Sequence, residues 1–368
     1  SLATALFSGC CYSGDGTAIA TRAPEAGTRR EADGGGAGTD ASVTGDEVDD
    51  AGAEPPDAAN EADAIPDAGA TPDAADAAIS HSDTRWRFAV VADTRDNARG
   101  YNRTVFPRLL EAVLREHERS AIDLMLVPGD LVYGSADVLV ELAGWAEAVR
   151  SLQEAGITVY PVRGNHEIQC DQECWNRVFT GSSALPDDGP PGEEGLTYSF
   201  SHKNAFFVGF DNYSGQKVNV EWVQERLADN TLPHVFSFSH EPAFAAYHLG
   251  CLDDFVEERD RFWAALERAG SRVYFCGHDH FYDHAHVLDG DGDENDDIHQ
   301  FIVGSGGGPL YSFSPPYPGD NSGMTLKQID HAETYGYLVV EVDDLDVTLT
   351  WMELETGAGA SWSYTVKA

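Results

Sequence analysis

Positive charge is what this sequence has least of. Four lysines occur in 368 residues, and Lys plus Arg number 23 against 63 Asp plus Glu, a formal net charge of −40. Residues 1–84 hold 17 acidic and 3 basic residues, a net of −14, which leaves −26 on residues 85–368. A surface of that sign repels phosphate backbones and anionic headgroups, so nucleic-acid binding is not expected, and any anionic ligand needs a locally positive pocket. The sparse lysine also suits a salt-tolerant surface. Cysteine is scarce too, with six in all, and the apolar stretch ahead of Cys10 is about nine residues, too short to cross a bilayer.

Hydrophobic residues make up 42% of the chain, enough for one large domain or two ordinary ones. They are unevenly spread. "SLATALFSGCC" reads as the tail of a secretory signal, and Phe7-Ser8-Gly9-Cys10 resembles a bacterial lipobox with Phe7 where Leu is usual. That resemblance implies lipid attachment at Cys10 and an extracytoplasmic place, as an envelope lipoprotein or a secreted protein; a truncated ordinary signal would leave the same letters. From Tyr12 to about Ser82 the chain is Ala, Asp, Gly, Glu, Pro and Thr, with loose Pro-Asp-Ala repeats and few aromatic or branched residues. No core can offset ordering entropy there, so residues 1–84 are expected to form a signal remnant and an extended acidic tether, with the folded domain in 85–368.

Beyond Arg85, strand-like runs occur at 86–93, 122–130, 157–165, 234–240 and 272–278. Helical spacing marks "TVFPRLLEAVLREHE", "ADVLVELAGWAEAVRSLQEAG", "NVEWVQERLAD" and "DRFWAALERAG" between them. Antiparallel pairs are expected from "LTYSFSHKNAFFVGFD", "QFIVGSGG", "YGYLVVEVDD" and "VTLTWMELE". The pattern predicts an α/β fold, a four-layer α/β/β/α sandwich of two mixed sheets.

The five early strands all stop at polar residues able to bind metal: Asp93, then Gly129-Asp130 with Tyr133, then Gly164-Asn165-His166-Glu167, then His240, then Gly277-His278-Asp279-His280. Ligand sites in α/β sheets collect beyond the carboxyl ends of strands, so the clusters are expected to converge.

These motifs resemble the calcineurin-like metallophosphoesterase superfamily, whose pattern is D-x-H, G-D, G-N-H-[ED], H and G-H-x-H. The resemblance spans residues 87–310 and departs at the first motif, where Arg95 stands in place of histidine; a guanidinium has no free lone pair for a metal. Gly129-Asp130-Leu131-Val132-Tyr133 is nearest to the G-D-x-x-Y of purple acid phosphatases, which use the tyrosine as a phenolate ligand. Tyr133 either fills the vacated ligand place or packs beside the strand. The resemblance implies two metal ions, iron with zinc, manganese or a second iron, one held by Asp93, Asp130, Tyr133 and His280 and the other by Asp130, Asn165, His240 and His278. It implies hydrolysis of phosphate esters by a hydroxide held on the metals, with a small phosphorylated substrate, phosphomonoesters first. The same centre would serve a phosphodiesterase or nucleotidase, and a non-catalytic surface lipoprotein could retain the scaffold. His166 is the candidate for protonating the leaving oxygen or holding the phosphate. Arg95 either grips a phosphate edge or pairs with Asp96 or another loop carboxylate. Glu167 or Asp279 could orient imidazoles, and His248 is either a leaving-group residue or an exposed loop histidine. His284, His286, His299 and His331 take no assigned role.

"DGDGDENDD" (289–297) lacks the glycine and the final glutamate of a calcium loop and reads as a solvated hairpin tip. A bridge from Cys170 or Cys174 to Cys251 could stiffen the rim of the site, with Cys276 a buried thiol, but the four cysteines beyond Cys11 allow three pairings and the sequence does not choose among them; Cys170 and Cys174 as a zinc pair would bring only two thiols.

Overall fold

A computed structural model describes residues 84–366. The lipobox and tether expectations fall on residues outside that range. The first parallel unit is β1 (Arg85–Val90), α1 (Phe106–Arg119), β2 (Leu124–Pro128), α2 (Val138–Ala148), α3 (Arg150–Glu154) and β3 (Thr158–Val162). Helix α1 buries Phe106, Leu109, Leu110 and Val113, starts at a proline turn and carries His117 and Arg119 in its last turn, where the helix dipole favours cations. The single helix expected over 136–156 divides at Val149 into α2 and α3.

Next come α4 (Gln172–Val178), β4 (Tyr198–His202), β5 (Ala205–Gly209), α5 (Val220–Ala228), β6 (His234–Phe238), α6 (Val256–Arg268), β7 (Val273–Cys276), β8 (Tyr282–Leu288) and β9 (Ile298–Val303). The chain closes with β10 (Thr325–Ala332), β11 (Gly336–Asp343), β12 (Asp346–Glu353) and β13 (Gly357–Thr365). Two sheets result, ordered β13-β12-β11-β1-β2-β3 and β10-β8-β9-β7-β6-β5-β4. Strands β1 to β3 run parallel, as do β5, β6, β7 and β9, while β11 to β13, the edge strands β4 and β10, and β8 beside β10 pair antiparallel with their neighbours.

Between the sheets lies an apolar layer of Phe88, Leu126, Phe236, Phe275, Leu338 and Trp351. Helices α1 to α4 cover the outer face of the first sheet through Phe106, Leu142, Trp145 and Trp175, and α5 and α6 cover the second through Val223, Phe262 and Trp263. This is the expected four-layer sandwich. Its parallel strands are buried on both faces, which is why they read as unbroken apolar runs.

The acidic run 289–297 joins β8 to β9 and is largely exposed. The structure decides the cysteine pairing that the sequence leaves open, and no bridge to Cys251 forms. Cys170 is bonded to Cys174, with Cα atoms 5.2 Å apart, and Cys251 and Cys276 are buried free thiols. The first turn of α4 brings Cys174 back towards Cys170, whereas the Cys251 Sγ faces the carbonyl of His248. The Cys170 and Cys174 thiols are thus spent in a bridge and hold no zinc.

Candidate metal centre

Three strand ends turn through the left-handed region at a side chain of interest: Asp93 (φ 57°), Asp130 (φ 53°) and His278 (φ 70°). Each such turn costs about 1–3 kcal/mol in a non-glycine residue, so the surrounding structure must impose it. Backbone bonds do so: Asp93 N donates to Gly129 O (3.1 Å), Arg95 N to Asp130 O (3.1 Å) and Gly308 N to Asp93 O (2.8 Å). Behind them Trp145 Nε1 donates to Thr94 Oγ1, which donates to Leu131 O, both at 2.9 Å. Glycine is required where chains meet: a Cβ on Gly164 would lie 2.1 Å from Asp130 Oδ1, and one on Gly277 2.3 Å from Asp93 Oδ2.

Six of the seven expected ligands, all but Tyr133, then gather in two overlapping groups. In one, an oxygen of Asp93, an oxygen of Asp130 and a nitrogen of His280 lie within 4.8 Å of one another, all buried. His280 Nδ1 donates to Pro309 O (2.8 Å), so its Nε2 lone pair points inward, 3.3 Å from Asp93 Oδ1. That carboxylate oxygen is buried and has no hydrogen-bond donor. In the other group, Asn165 Oδ1 lies 3.1 Å from both His240 Nε2 and His278 Nδ1, and Asp130 Oδ1 is 3.4 Å from His240 Nε2. His240 Nδ1 donates to Pro128 O (3.0 Å), again turning a lone pair inward. Burial and the neighbouring His240 and His248 imidazoles hold the His278 pKa well down, in its neutral form. Asp130 is held as a carboxylate: burial raises its pKa, but His240, His166, Arg95 and His278 together pull it below the usual range. Acceptors facing acceptors in a buried space fit cations between them, and mixed oxygen and imidazole donors suit iron, zinc or manganese.

The sequence pattern of calcineurin-like phosphoesterases matches residues 87–282. The chain belongs to the calcineurin-like phosphoesterase family. A search of curated proteins finds no match. Among solved structures, a purple acid phosphatase from yellow lupin (Lupinus luteus) seeds superposes with a TM-score of 0.59 at 15% identity, covering 76% of this chain and 54% of its own. This chain thus spans about half the length of the lupin protein. GAP50, the anchor in the inner membrane complex of Plasmodium, gives 0.56 at 13% identity, covering 77% of this chain and 90% of its own. A dimetal phosphatase from Danio rerio gives 0.51 at 15% identity, covering 77% and 99%. At these identities the likeness is one of fold.

Around the family's ligand positions, the other candidates take distinct places. Arg95 is buried; Nε donates to Asp130 Oδ2 (3.2 Å), Nη1 to the Asp96 carbonyl (3.2 Å), and Nη2 lies 3.4 Å from His280 Nε2. It pairs with the central aspartate of the site, not with the Asp96 carboxylate. His166 Nδ1 donates to the Tyr133 carbonyl (2.5 Å), and its Nε2 is 3.8 Å from Asp130 Oδ2. Tyr133 thereby positions His166 through its backbone, and its ring lies 5.6 Å from the imidazole. Glu167 accepts from Val132 N (2.9 Å) and Gly164 N (2.8 Å), so it pins two loops of the site rather than an imidazole. Burial and the Asp130 charge push its pKa up to about 8.

Asp279 does orient an imidazole: its Oδ1 accepts from His248 Nδ1 (2.8 Å), and its carboxylate also takes the backbone N–H groups of Tyr247 and His248. His248 is a half-buried residue of the loop after β6, and its ring lies 4.8 Å from that of His278, so the loop carries it to the site. His284, His286, His299 and His331 stay on strands β8 to β10. Two tyrosines escaped the sequence reading. Tyr311 stacks on His280 (4.4 Å, 12°) and Tyr247 stacks on Tyr311 (4.7 Å, 13°). Tyr311 follows the glycine run that wraps the centre, the one sequence signal that pointed to it.

Proposed function

We propose that this family member hydrolyses phosphate monoesters at a binuclear metal centre. Asp93, Asp130, Tyr133 and His280 would hold one ion and Asp130, Asn165, His240 and His278 the other, with iron in the first site if the Tyr133 phenolate ligates. The observation that carries this reading is the convergence of the two acceptor groups on Asp130, with the buried Asp93 Oδ1 left without a donor. Metal ions there would supply Lewis acidity to a phosphoryl oxygen and lower the pKa of a water.

The chain's own residues supply binding and protons. Beyond its bonds to Asp130 and the Asp96 carbonyl, Arg95 has N–H groups on both Nη1 and Nη2 for two phosphate oxygens, and its Nη2 contact with His280 Nε2 would give way where that lone pair holds an ion. His166 presents Nε2 with its Nδ1 fixed on a carbonyl, the arrangement needed to hand a proton to a leaving oxygen. His248, with Nδ1 fixed on Asp279, offers a second such nitrogen. A monoester has three non-bridging oxygens to satisfy, and this number of donors favours it over a diester.

The fold is also that of an anchor protein, GAP50, and a non-catalytic role is the rival reading. The Cys170–Cys174 bridge supports an extracytoplasmic place, where disulfides persist. Turnover of p-nitrophenyl phosphate against its bis-ester, with metal analysis on the same sample, tests the proposal. Faster monoester cleavage is expected; preference for the bis-ester makes it a diesterase, and bound metal without turnover of either ester favours the anchor. An iron-loaded sample should be coloured by phenolate charge transfer, and Tyr133→Phe should remove the band; a colourless iron form places Tyr133 outside the ligand set.

A further inference from the structure

A column of three rings leads out of the metal centre. Its base is His280, whose Nε2 faces Asp93, its middle is Tyr311 at 4.4 Å, and its outer end is Tyr247 at 4.7 Å, the three planes within 13° of one another at each step. His248 packs edgewise beside it, 4.9 Å from the Tyr247 ring and 5.3 Å from Tyr311. The outermost ring is 48% exposed and the adjoining Leu249 63%. Single exposed apolar residues need no explanation, but a stacked, ordered pair beside a catalytic centre does.

The column is also held rigidly. Tyr247 N and His248 N both donate to the buried Asp279 carboxylate (2.9 and 3.0 Å), and Tyr311 N donates to the carbonyl of His280 (3.0 Å). Asp279 is the residue between His278 and His280, so one motif fixes both the ligand histidines and the platform. A ring locked in this way loses little entropy when a flat group stacks on it. What the outer, exposed ring of Tyr247 offers a ligand is a planar aromatic face.

We propose that Tyr247, backed by Tyr311, is the subsite for the alcohol portion of the substrate, and that this portion carries a planar aromatic group. The assignment rests on the phosphoesterase reading above. The exposed ring stands two stacking steps from His280, which suits a group separated from the phosphorus by a spacer, as the base of a nucleoside monophosphate is by its sugar. An aryl group bonded directly to the ester oxygen is the other source of the same chemistry.

The test compares AMP, p-nitrophenyl phosphate and glycerol phosphate, the last having no ring. Stacking on an aromatic side chain is typically worth about five- to a hundredfold on truncation to alanine. Tyr247→Ala should therefore lower kcat/KM for AMP relative to glycerol phosphate by about that factor, chiefly through KM, and Tyr247→Phe, which keeps the ring, should restore the ratio. A fall in the p-nitrophenyl phosphate ratio instead of the AMP ratio keeps the subsite and makes the group aryl. Equal effects on all three esters, or none, overturn the subsite while leaving the phosphoesterase reading intact. Absence of turnover on every ester by the parent protein fails that reading itself; adenosine binding measured by quenching of tyrosine and tryptophan fluorescence then decides the subsite, which falls if Tyr247→Ala binds as the parent does.

Discussion

Arg95 is the residue at which this chain leaves its family's pattern, and it lies where a cation changes most. Its guanidinium touches Asp130 Oδ2 and approaches His280 Nε2, an atom from each of two proposed metal ligands. Charge-assisted hydrogen bonds are worth about 1.5–3 kcal/mol, so phosphate contact predicts that Arg95→Ala loses roughly tenfold to a hundredfold in kcat/KM. Metal content and melting temperature should hold; normal kinetics with lowered stability would make Arg95 structural. Asp130 and His240 separate differently. Asp130 belongs to both acceptor groups, so Asp130→Asn should lower occupancy at both sites, whereas His240→Ala should lower chiefly one. Equal loss of a single metal in both variants, by elemental analysis, would contradict a bridging aspartate. The ligand types themselves were legible in the sequence because each ends an apolar run. Tyr247 and Tyr311 were not, since stacking across loops leaves no trace in spacing.

Strands β8 and β9 place three buried histidines in the layer between the sheets. His284 Nε2 and His299 Nδ1 share a hydrogen bond of 2.7 Å, His286 binds Asp297 at 2.9 Å, and Trp362 of β13 packs 4.0 Å from the His299 ring. Burial, with the neighbouring His286, holds the His284 pKa down to about 3, and burial with the His284 neighbour depresses His299 as well. Both stay neutral when folded, while an imidazole in the unfolded chain titrates near 6.5. Below about pH 6.5 the unfolded state therefore binds protons that the folded state refuses, and stability falls on acidification by up to about 1.4 kcal/mol per pH unit for each. Thermal unfolding followed from neutral pH to pH ~4.5 should show this loss, and His284→Gln should flatten it; a melting temperature that rises with acid would refute the neutral cluster. Strand β9 was legible as "QFIVGSGG", whereas β8 and β13 were hard to see in sequence. "YDHAHVL" reads as polar, yet six of its residues are buried, and β13, "GAGASWSYT", is a weak strand former held by cross-strand pairs such as Thr350 with Ser361 (2.9 Å).

At the scale of the molecule, residues 85–368 carry a net charge of −26, and like charges on a compact surface repel. Raising salt from about 10 mM to about 150 mM shortens the Debye length from ~30 to ~8 Å and should raise the melting temperature at neutral pH. A fall would show that surface ion pairs such as Arg85–Glu341 and Arg108–Glu355 outweigh the repulsion. The same charge gives the buried Arg95 its significance: in a chain this acidic, an anion enters only where cations are gathered.

What the sequence determined alone was the layer order and where the polar strand ends would meet, because two-sided burial writes apolar runs and each run breaks at a polar residue. Tertiary structure decided what depends on meeting partners from afar. The Cys170–Cys174 bridge, set by how α4 begins, settled a pairing that the sequence left open, with Cys251 a free thiol. Glu167 turned to backbone N–H groups and Asp279 to His248, choices fixed by which loops face each carboxylate. Tyr133 met His166 through its carbonyl, and the aromatic column formed from loops 64 residues apart, Tyr247 and Tyr311. Periodicity reports the environment of a segment, whereas these contacts depend on the relative placement of several segments, which only the packed sheets supply.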